Sequence, residues 1–143
     1  AMTHDVDLVA LTRALVDIDS TTGREGDAAR WLAGYLRGLA FDVVEQTVDE
    51  QRFNVLATAG DPLVIFSTHF DCVPPFYPSR VEQGRIYGRG ACDAKGILAA
   101  QVAAAFRLRA EGEHRVGLLF VVGEERGSDG ARRANQEARR CRF

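Results

Sequence analysis

Two short, uninterrupted apolar runs constrain the fold of this chain more than any other feature. Residues 63–66 read Leu-Val-Ile-Phe, and residues 116–122 read Val-Gly-Leu-Leu-Phe-Val-Val. Runs of this length without polar alternation are typical of strands that other elements cover on both faces. We therefore expect both strands to lie in the centre of a sheet that carries helices on each side.

Apolar residues at three- and four-residue steps predict helices on either side of these runs, and two further stretches are strand-like. The predicted helices cover residues 5–18, 25–39, 94–110 and 127–138, and the other predicted strands cover residues 41–48 and 53–58, as a hairpin. Helices alternating with buried strands indicate an α/β fold. We expect a three-layer α/β/α sandwich with a mixed, mostly parallel central sheet.

Charge and cysteine content exclude several classes of protein. Lys and Arg number 18 against 20 Asp and Glu, so the net charge of −2 offers no positive field for nucleic acid. No apolar run approaches the roughly 18 residues of a membrane span. The three cysteines, Cys72, Cys92 and Cys141, form no Cys-x-x-Cys pair and leave one over. Together with an acidic start that lacks a secretory signal, this indicates reduced thiols and a cytoplasmic protein.

Ionisable residues follow the ends of the apolar runs. His69 and Asp71 come just after the first run, and Glu124 and Glu125 follow the second. Asp93 lies in a glycine-rich stretch before the predicted third helix. Because ligands bind beyond the carboxyl ends of strands in such sheets, we expect one imidazole and four carboxylates at one rim.

Each of these residues alone has an ordinary structural interpretation. His69 suits a hydrogen-bonded rim residue, Asp71 and Asp93 suit turn or helix-cap positions, and adjacent glutamates suit a solvated corner. Together they indicate a cation, since clustered carboxylates repel one another unless a positive charge holds them. In a His-x-Asp pair, the imidazole can bind a metal while the aspartate accepts from its other nitrogen. The reaction class that fits is metal-assisted hydrolysis at a carbonyl, with a carboxylate as general base.

Three segments carry a resemblance to one enzyme family. They are residues 67–74 (Ser-Thr-His-Phe-Asp-Cys-Val-Pro), 88–96 (Gly-Arg-Gly-Ala-Cys-Asp-Ala-Lys-Gly) and 123–125 (Gly-Glu-Glu). In this order they resemble the signatures of the co-catalytic zinc metallopeptidases that include acetylornithine deacetylase, succinyl-diaminopimelate desuccinylase, aminoacylase and carboxypeptidase G. The resemblance implies two zinc ions, with cobalt as a possible substitute. It also implies a hydrolase that cleaves an amide bond of an N-acyl amino acid or small peptide.

The resemblance implies a role for each matching residue. His69, Asp93 and Glu125 would bind metal, with Asp93 bridging both ions. Glu124 would be the general base, and Asp71 would support the imidazole of His69 from the side away from the metal. We expect the three metal ligands to converge at one rim, with Glu124 facing open space.

Two further expectations concern the glycine-rich segment and the length of the chain. The resemblance implies a cis peptide between Asp93 and Ala94, and we expect Arg89 and Lys95 to brace this loop. Family members are longer, with further metal ligands and an inserted lid and dimerisation domain that makes the parent a homodimer. Residues 1–143 would then be the N-terminal part of a catalytic domain, inactive alone. The alternatives are a catalytically silent fragment or a small-ligand binding module with an incomplete metal site.

Overall fold

The computed structural model describes residues 5–137. This part of the chain contains six strands and four α-helices. Their bounds are α1 Leu8–Val16, α2 Gly26–Gly38, β1 Asp42–Thr47, β2 Phe53–Thr58, β3 Val64–His69, β4 Arg80–Glu82, β5 Arg85–Tyr87, α3 Gly96–Ala110, β6 Val116–Val121 and α4 Asp129–Asn135. The predicted helices and strands are all present, and their described ends differ from the predicted ones by at most three residues.

The central sheet has four strands in the order β1-β2-β6-β3, and it is mixed as expected. Only β3 and β6 are parallel, whereas β1 pairs antiparallel with β2 and β2 pairs antiparallel with β6. The expectation of a mostly parallel sheet is therefore wrong for the described strands. The reason is local, because a connection as short as that between β1 and β2 can only join antiparallel strands.

Helices cover both faces of the sheet, which confirms the three-layer α/β architecture. On one face, α1, α2 and α3 enclose the larger core, whose fully buried members include Leu15, Leu32, Leu98 and Phe120. On the other face, a second buried cluster packs against Ala134 of α4; it consists of Leu56, Ile65, Leu119 and Val121. Successive residues of β6 alternate between the two clusters, as the period of a strand requires.

The two apolar runs differ in their position in the sheet. Strand β6 is central, as expected, but β3 is an edge strand among the described residues. Leu63 and Val64 are 52% and 37% exposed, so the prediction that this run is buried on both faces is wrong. An apolar run records local hydrophobicity, and it does not specify how many neighbours the strand will pair with.

The segment between β3 and α3 contains a second, small sheet. Strands β4 and β5 form a two-stranded antiparallel hairpin. Residues Ala91–Lys95 form a tight turn before α3, which therefore begins two residues later than predicted. None of the helices in residues 5–137 is long and apolar enough to cross a membrane.

Two predictions reach residues that lie outside the described part. The predicted final helix ends at residue 138, whereas α4 is described over Asp129–Asn135. Of the three cysteines, Cys72 is buried and Cys92 is exposed, both as free thiols, and Cys141 lies beyond the described residues.

Candidate metal centre

The parallel pairing of β3 with β6 brings two predicted site segments to one edge of the sheet. His69, the last residue of β3, lies opposite Val121, the last residue of β6. The loop that carries Glu124 and Glu125 follows directly, so it starts beside the imidazole. The site is thus positioned by the register of these two strands, and it does not require β3 to be central.

Carboxylates of two other segments meet the imidazole at this edge. The Nε2 atom of His69 lies 2.9 Å from Oδ1 of Asp93 and 3.6 Å from Oε2 of Glu124. Ligand atoms of His69, Asp93 and Glu125 all lie within 4.8 Å of one another. The structure therefore brings together the three residues that the sequence nominates as metal ligands, with the nominated base beside them.

Asp71 lies on the opposite side of the imidazole ring. The Nδ1 atom of His69 is 3.1 Å from the backbone oxygen of Asp71 and 3.2 Å from its Oδ1. The hydrogen bond with Asp71 raises the pKa of His69 to about 9, against the opposing effect of burial. Such a contact fixes the orientation of the ring and leaves Nε2 facing the other carboxylates.

The carboxylate of Asp71 also holds the loop after β6. Its Oδ1 accepts from the backbone N–H of Glu124 at 3.0 Å, and its Oδ2 accepts from that of Glu125 at 3.1 Å. The hydroxyl of Thr22 donates to Oδ2 at 2.8 Å. Burial alone would raise the pKa of Asp71, but hydrogen bonds led by that of His69 outweigh it and lower the pKa below its usual value.

A second buried carboxylate, Glu25, contacts the same loop. Its Oε1 accepts from the backbone N–H of Gly123 at 3.1 Å, and Arg52 lies 3.4 Å from the same oxygen. The sequence analysis missed both residues. Glu25 precedes α2 as many solvated acids precede helices, so no local signal distinguishes it.

The carboxylates at the rim are more accessible than those beneath it. The side chain of Asp93 is 73% exposed and that of Glu124 is 54% exposed. Glu125 is half-buried, and burial followed by the charge of Asp93 raises its pKa, although the nearby imidazole of His69 acts in the opposite direction. This crowding of negative charge is the condition under which a cation binds.

The glycine-rich segment is braced by the two basic residues that it carries. The ammonium group of Lys95 is buried and donates to the backbone oxygens of Leu15 at 2.8 Å and Ile18 at 3.1 Å. Arg89 donates to the backbone oxygen of Pro75 at 3.0 Å. The peptide bond between Asp93 and Ala94 is cis.

Two small clefts border Glu125. One has a volume of about 290 Å³ and is lined by Thr21, Thr22, Val73, Pro74, Glu125 and Arg126. The other, of about 180 Å³, is lined by Val73, Gly88, Arg89, Gly90, Cys92, Asp93 and Glu125. A larger cleft of about 550 Å³ lies beside the β4–β5 hairpin, and its lining contains neither acids nor histidine. Both clefts beside Glu125 therefore adjoin the candidate metal centre.

Comparison with known proteins identifies the family. The model of peptidase family M20/M25/M40 matches residues 65–142, which is more than half of the chain. The chain belongs to this family. The matched residues include the segments of His69, Asp93 and Glu125.

Individual relatives and solved structures agree with this assignment. A protein of Aspergillus clavatus described as a probable carboxypeptidase is 38% identical over 148 residues, which covers 92% of this chain and 33% of the relative. A tripeptidase of Staphylococcus aureus superposes with a TM-score of 0.75 and 28% identity, over 91% of this chain and 39% of that structure. The aminopeptidase PepT of Bacillus cereus superposes with a TM-score of 0.71 and 26% identity, over 87% of this chain and 38% of that structure. The chain spans about a third of the length of the curated relatives it matches.

Proposed function

We propose that this chain supplies metal ligands and the general base of a zinc-dependent hydrolase that cleaves an amide bond in a small peptide or N-acyl amino acid. One observation carries the proposal. Ligand atoms of His69, Asp93 and Glu125 lie within 4.8 Å of one another, and the carboxylate of Glu124 is 3.6 Å from the same imidazole.

The chemistry of these donors fits zinc. One imidazole nitrogen and several carboxylate oxygens are ligands that zinc accepts, and cobalt suits the same set. Asp93, Glu124 and Glu125 crowd around one imidazole, so a divalent cation would offset their mutual repulsion. When bound, such an ion polarises a carbonyl group and lowers the pKa of water from 15.7 toward ~7.

The residues of this chain perform the remaining steps of the proposed reaction. Asp71 holds Nδ1 of His69, which orients Nε2 toward the metal site. The exposed carboxylate of Glu124 accepts the proton of the attacking water and then delivers it to the leaving amine nitrogen. Arg89 and Lys95 act by holding the loop of Asp93 in place.

The comparisons favour a peptide as substrate, and the size of the clefts favours a small one. The chain belongs to a peptidase family, and similar proteins are described as a carboxypeptidase and a tripeptidase. The clefts beside Glu125, of about 290 and 180 Å³, are smaller than the ~300–1,000 Å³ of typical ligand pockets. For N-acyl amino acids as substrates, the support is the resemblance of the three sequence motifs.

The organisation of the whole protein belongs to the same proposal. Residues 1–143 would be the N-terminal part of a catalytic domain, and the full-length protein would contribute further ligands and a lid through which it forms a homodimer. The length of the curated relatives, of which this chain spans about a third, supports this view. The free thiols of Cys72 and Cys92 support a cytoplasmic location.

The test is reconstitution of the full-length protein. A chelator removes bound metal, zinc or cobalt is added back, and hydrolysis of dipeptides, tripeptides and N-acyl amino acids is measured. We expect loss of activity in the metal-free protein and recovery with either metal, and no recovery in a His69→Ala variant. Hydrolysis that persists without metal, or full recovery in His69→Ala, would contradict the proposal.

A second candidate concerns residues 1–143 alone. The described part brings three ligand residues together, which is enough for at most one zinc ion and too few for two. We propose that this piece binds one metal ion weakly and is catalytically silent, or acts only as a small-ligand binding module. Side-by-side assays with the full-length protein decide this, and equal turnover that Glu124→Gln abolishes in both would overturn it.

A further inference from the structure

Three consecutive backbone amides under the rim each donate to an oxygen of a buried carboxylate. The N–H of Gly123 donates to Oε1 of Glu25 at 3.1 Å. The N–H groups of Glu124 and Glu125 donate to the two oxygens of Asp71 at 3.0 and 3.1 Å. Asp71 already belongs to the metal centre through its contact with the imidazole, whereas Glu25 lies 98 positions away from Gly123 along the chain.

Glu25 is anchored on its other side as well. Its side chain is fully buried, and its Oε2 accepts from the backbone N–H of Gly23 at 2.8 Å. The guanidinium of Arg52, itself only 13% exposed, lies 3.4 Å from Oε1 and 2.5 Å from the carboxylate of Asp129. A buried carboxylate needs such a cation and such donors, because burial otherwise disfavours its charged form.

The backbone at Gly123 is closely packed within this network. Its φ of +71° lies in the region that favours glycine, and a Cβ added there would clash with Oδ1 of Asp129. Asp129 is in turn held by Arg52. Gly123 therefore donates to Glu25 and packs closely against Asp129.

We propose that Glu25 is a positioning residue for the general base and the metal ligand that follow Gly123. It fixes the peptide plane from which Glu124 projects, and hence the distance of that carboxylate from the imidazole of His69. Glu25 itself touches neither the imidazole nor the rim carboxylates in any described hydrogen bond or ion pair. The inference rests on the proposed function, since it assigns Glu25 to the machinery that places Glu124 and Glu125.

The test substitutes Glu25→Gln in the full-length protein. The glutamine side chain has one accepting oxygen where glutamate has two. The N–H of either Gly23 or Gly123 would then face the NH2 group of the glutamine, which is a donor, and Arg52 would lose a charged partner. Mutation of a residue that supports the ligands of a metal site without touching the metal usually lowers metal affinity or activity by about 10–100-fold. We expect kcat and zinc affinity each to fall by about that factor, with KM within about two-fold of wild type because substrate contacts are untouched.

Two control variants separate positioning from simple loss of stability. Asp49→Asn removes a different carboxylate partner of Arg52, 2.7 Å from its Nε, that has no described contact with residues 123–125. Leu36→Ala removes a buried side chain near the other end of α2. We expect both variants to keep the kcat and zinc affinity of wild type. An equal fall in Leu36→Ala, or wild-type values in Glu25→Gln, would overturn the proposal.

A second measurement uses the wild-type protein, so it remains possible if the Glu25→Gln variant does not fold. Native-state hydrogen exchange of the wild-type protein should show the Gly123 amide protected as strongly as those of Glu124 and Glu125. Rapid exchange at Gly123 beside slow exchange at the other two would overturn the proposal. The proposed function fails separately, through absence of metal-dependent hydrolysis in the wild-type protein, and the exchange result still decides whether Glu25 holds the loop.

Discussion

Two sets of carboxylates lie on opposite sides of the loop at residues 123–125. Glu25 and Asp71 lie beneath the loop, Asp93 and Glu124 lie above it, and their surroundings differ. Glu25 and Asp71 are fully buried, and backbone N–H groups and side-chain donors occupy both oxygens of each. Asp93 and Glu124 are 73% and 54% exposed, and the imidazole of His69 is their shared described partner. The comparison shows that burial and hydrogen bonding determine what a carboxylate does here.

The difference follows from the cost of desolvation. A buried carboxylate is tolerated only when charge-assisted hydrogen bonds replace its water, and those bonds then fix the backbone that supplies them. An exposed carboxylate has no such partners to keep, so it is free to accept a proton or bind a cation. Substitutions beneath the loop should therefore lower stability and, through the position of the loop, also catalysis, whereas substitutions above it should lower catalysis alone.

The largest expected effect is on catalysis and comes from above the loop. In the full-length protein, Glu124→Gln should lower kcat by about 10²–10⁴-fold, which is the usual contribution of a general base. The melting temperature should stay within about one degree, because the side chain is 54% exposed. Steady-state kinetics and calorimetry measure the two quantities. A folded variant with wild-type kcat would remove Glu124 from the proposed mechanism.

Beneath the loop, the expected effect is on folding. Asp71→Ala leaves the amides of Glu124 and Glu125 without their acceptor, and it removes the carboxylate contacts of the Thr22 hydroxyl and of Nδ1 of His69. We expect it to lower the free energy of unfolding by about 3–5 kcal/mol, as for other broken buried networks. Urea denaturation measures this, and Thr22→Val, which removes one donor, provides a control with a smaller loss. A loss below ~1 kcal/mol would show that Asp71 does not support the loop.

The acids above the loop could be predicted from the sequence. Of the two acids beneath it, Asp71 could be predicted and Glu25 could not. His69, Asp93 and Glu125 could be grouped because each follows a strand or precedes a helix at one sheet edge. Glu25 could not be assigned, because its contact with Gly123 joins positions 98 residues apart and neither residue differs locally from a common helix or loop residue. For the same reason the hydrophobic pattern predicts β3 itself but not its place at the edge, which depends on pairing between distant segments.

The pKa of His69 provides a smaller and more specific test of the contact with Asp71. The pKa of His69 is raised to about 9, above the roughly 6.5 of an unfolded chain. Protonation therefore stabilises the metal-free fold below pH ~6.5, and this contribution is lost as the pH rises through about 9. NMR titration of the imidazole should find the raised pKa, and Asp71→Asn should lower it because its main cause is removed. An unchanged pKa in Asp71→Asn would assign the shift to other groups.

The smallest expected effect tests whether the rim acids are dispensable for folding. In the metal-free protein, Asp93→Asn keeps an oxygen that can accept from Nε2 of His69 and removes a charge that raises the pKa of Glu125. The lost attraction to His69 and the relieved repulsion with Glu125 oppose each other, and both act through solvent because Asp93 is 73% exposed. We expect the free energy of unfolding to change by less than ~0.5 kcal/mol, as for other surface substitutions. Urea denaturation at pH 7 with chelator present measures it. A loss comparable to that of Asp71→Ala would mean that the rim also supports the fold, and the division between the two sets of acids would no longer hold.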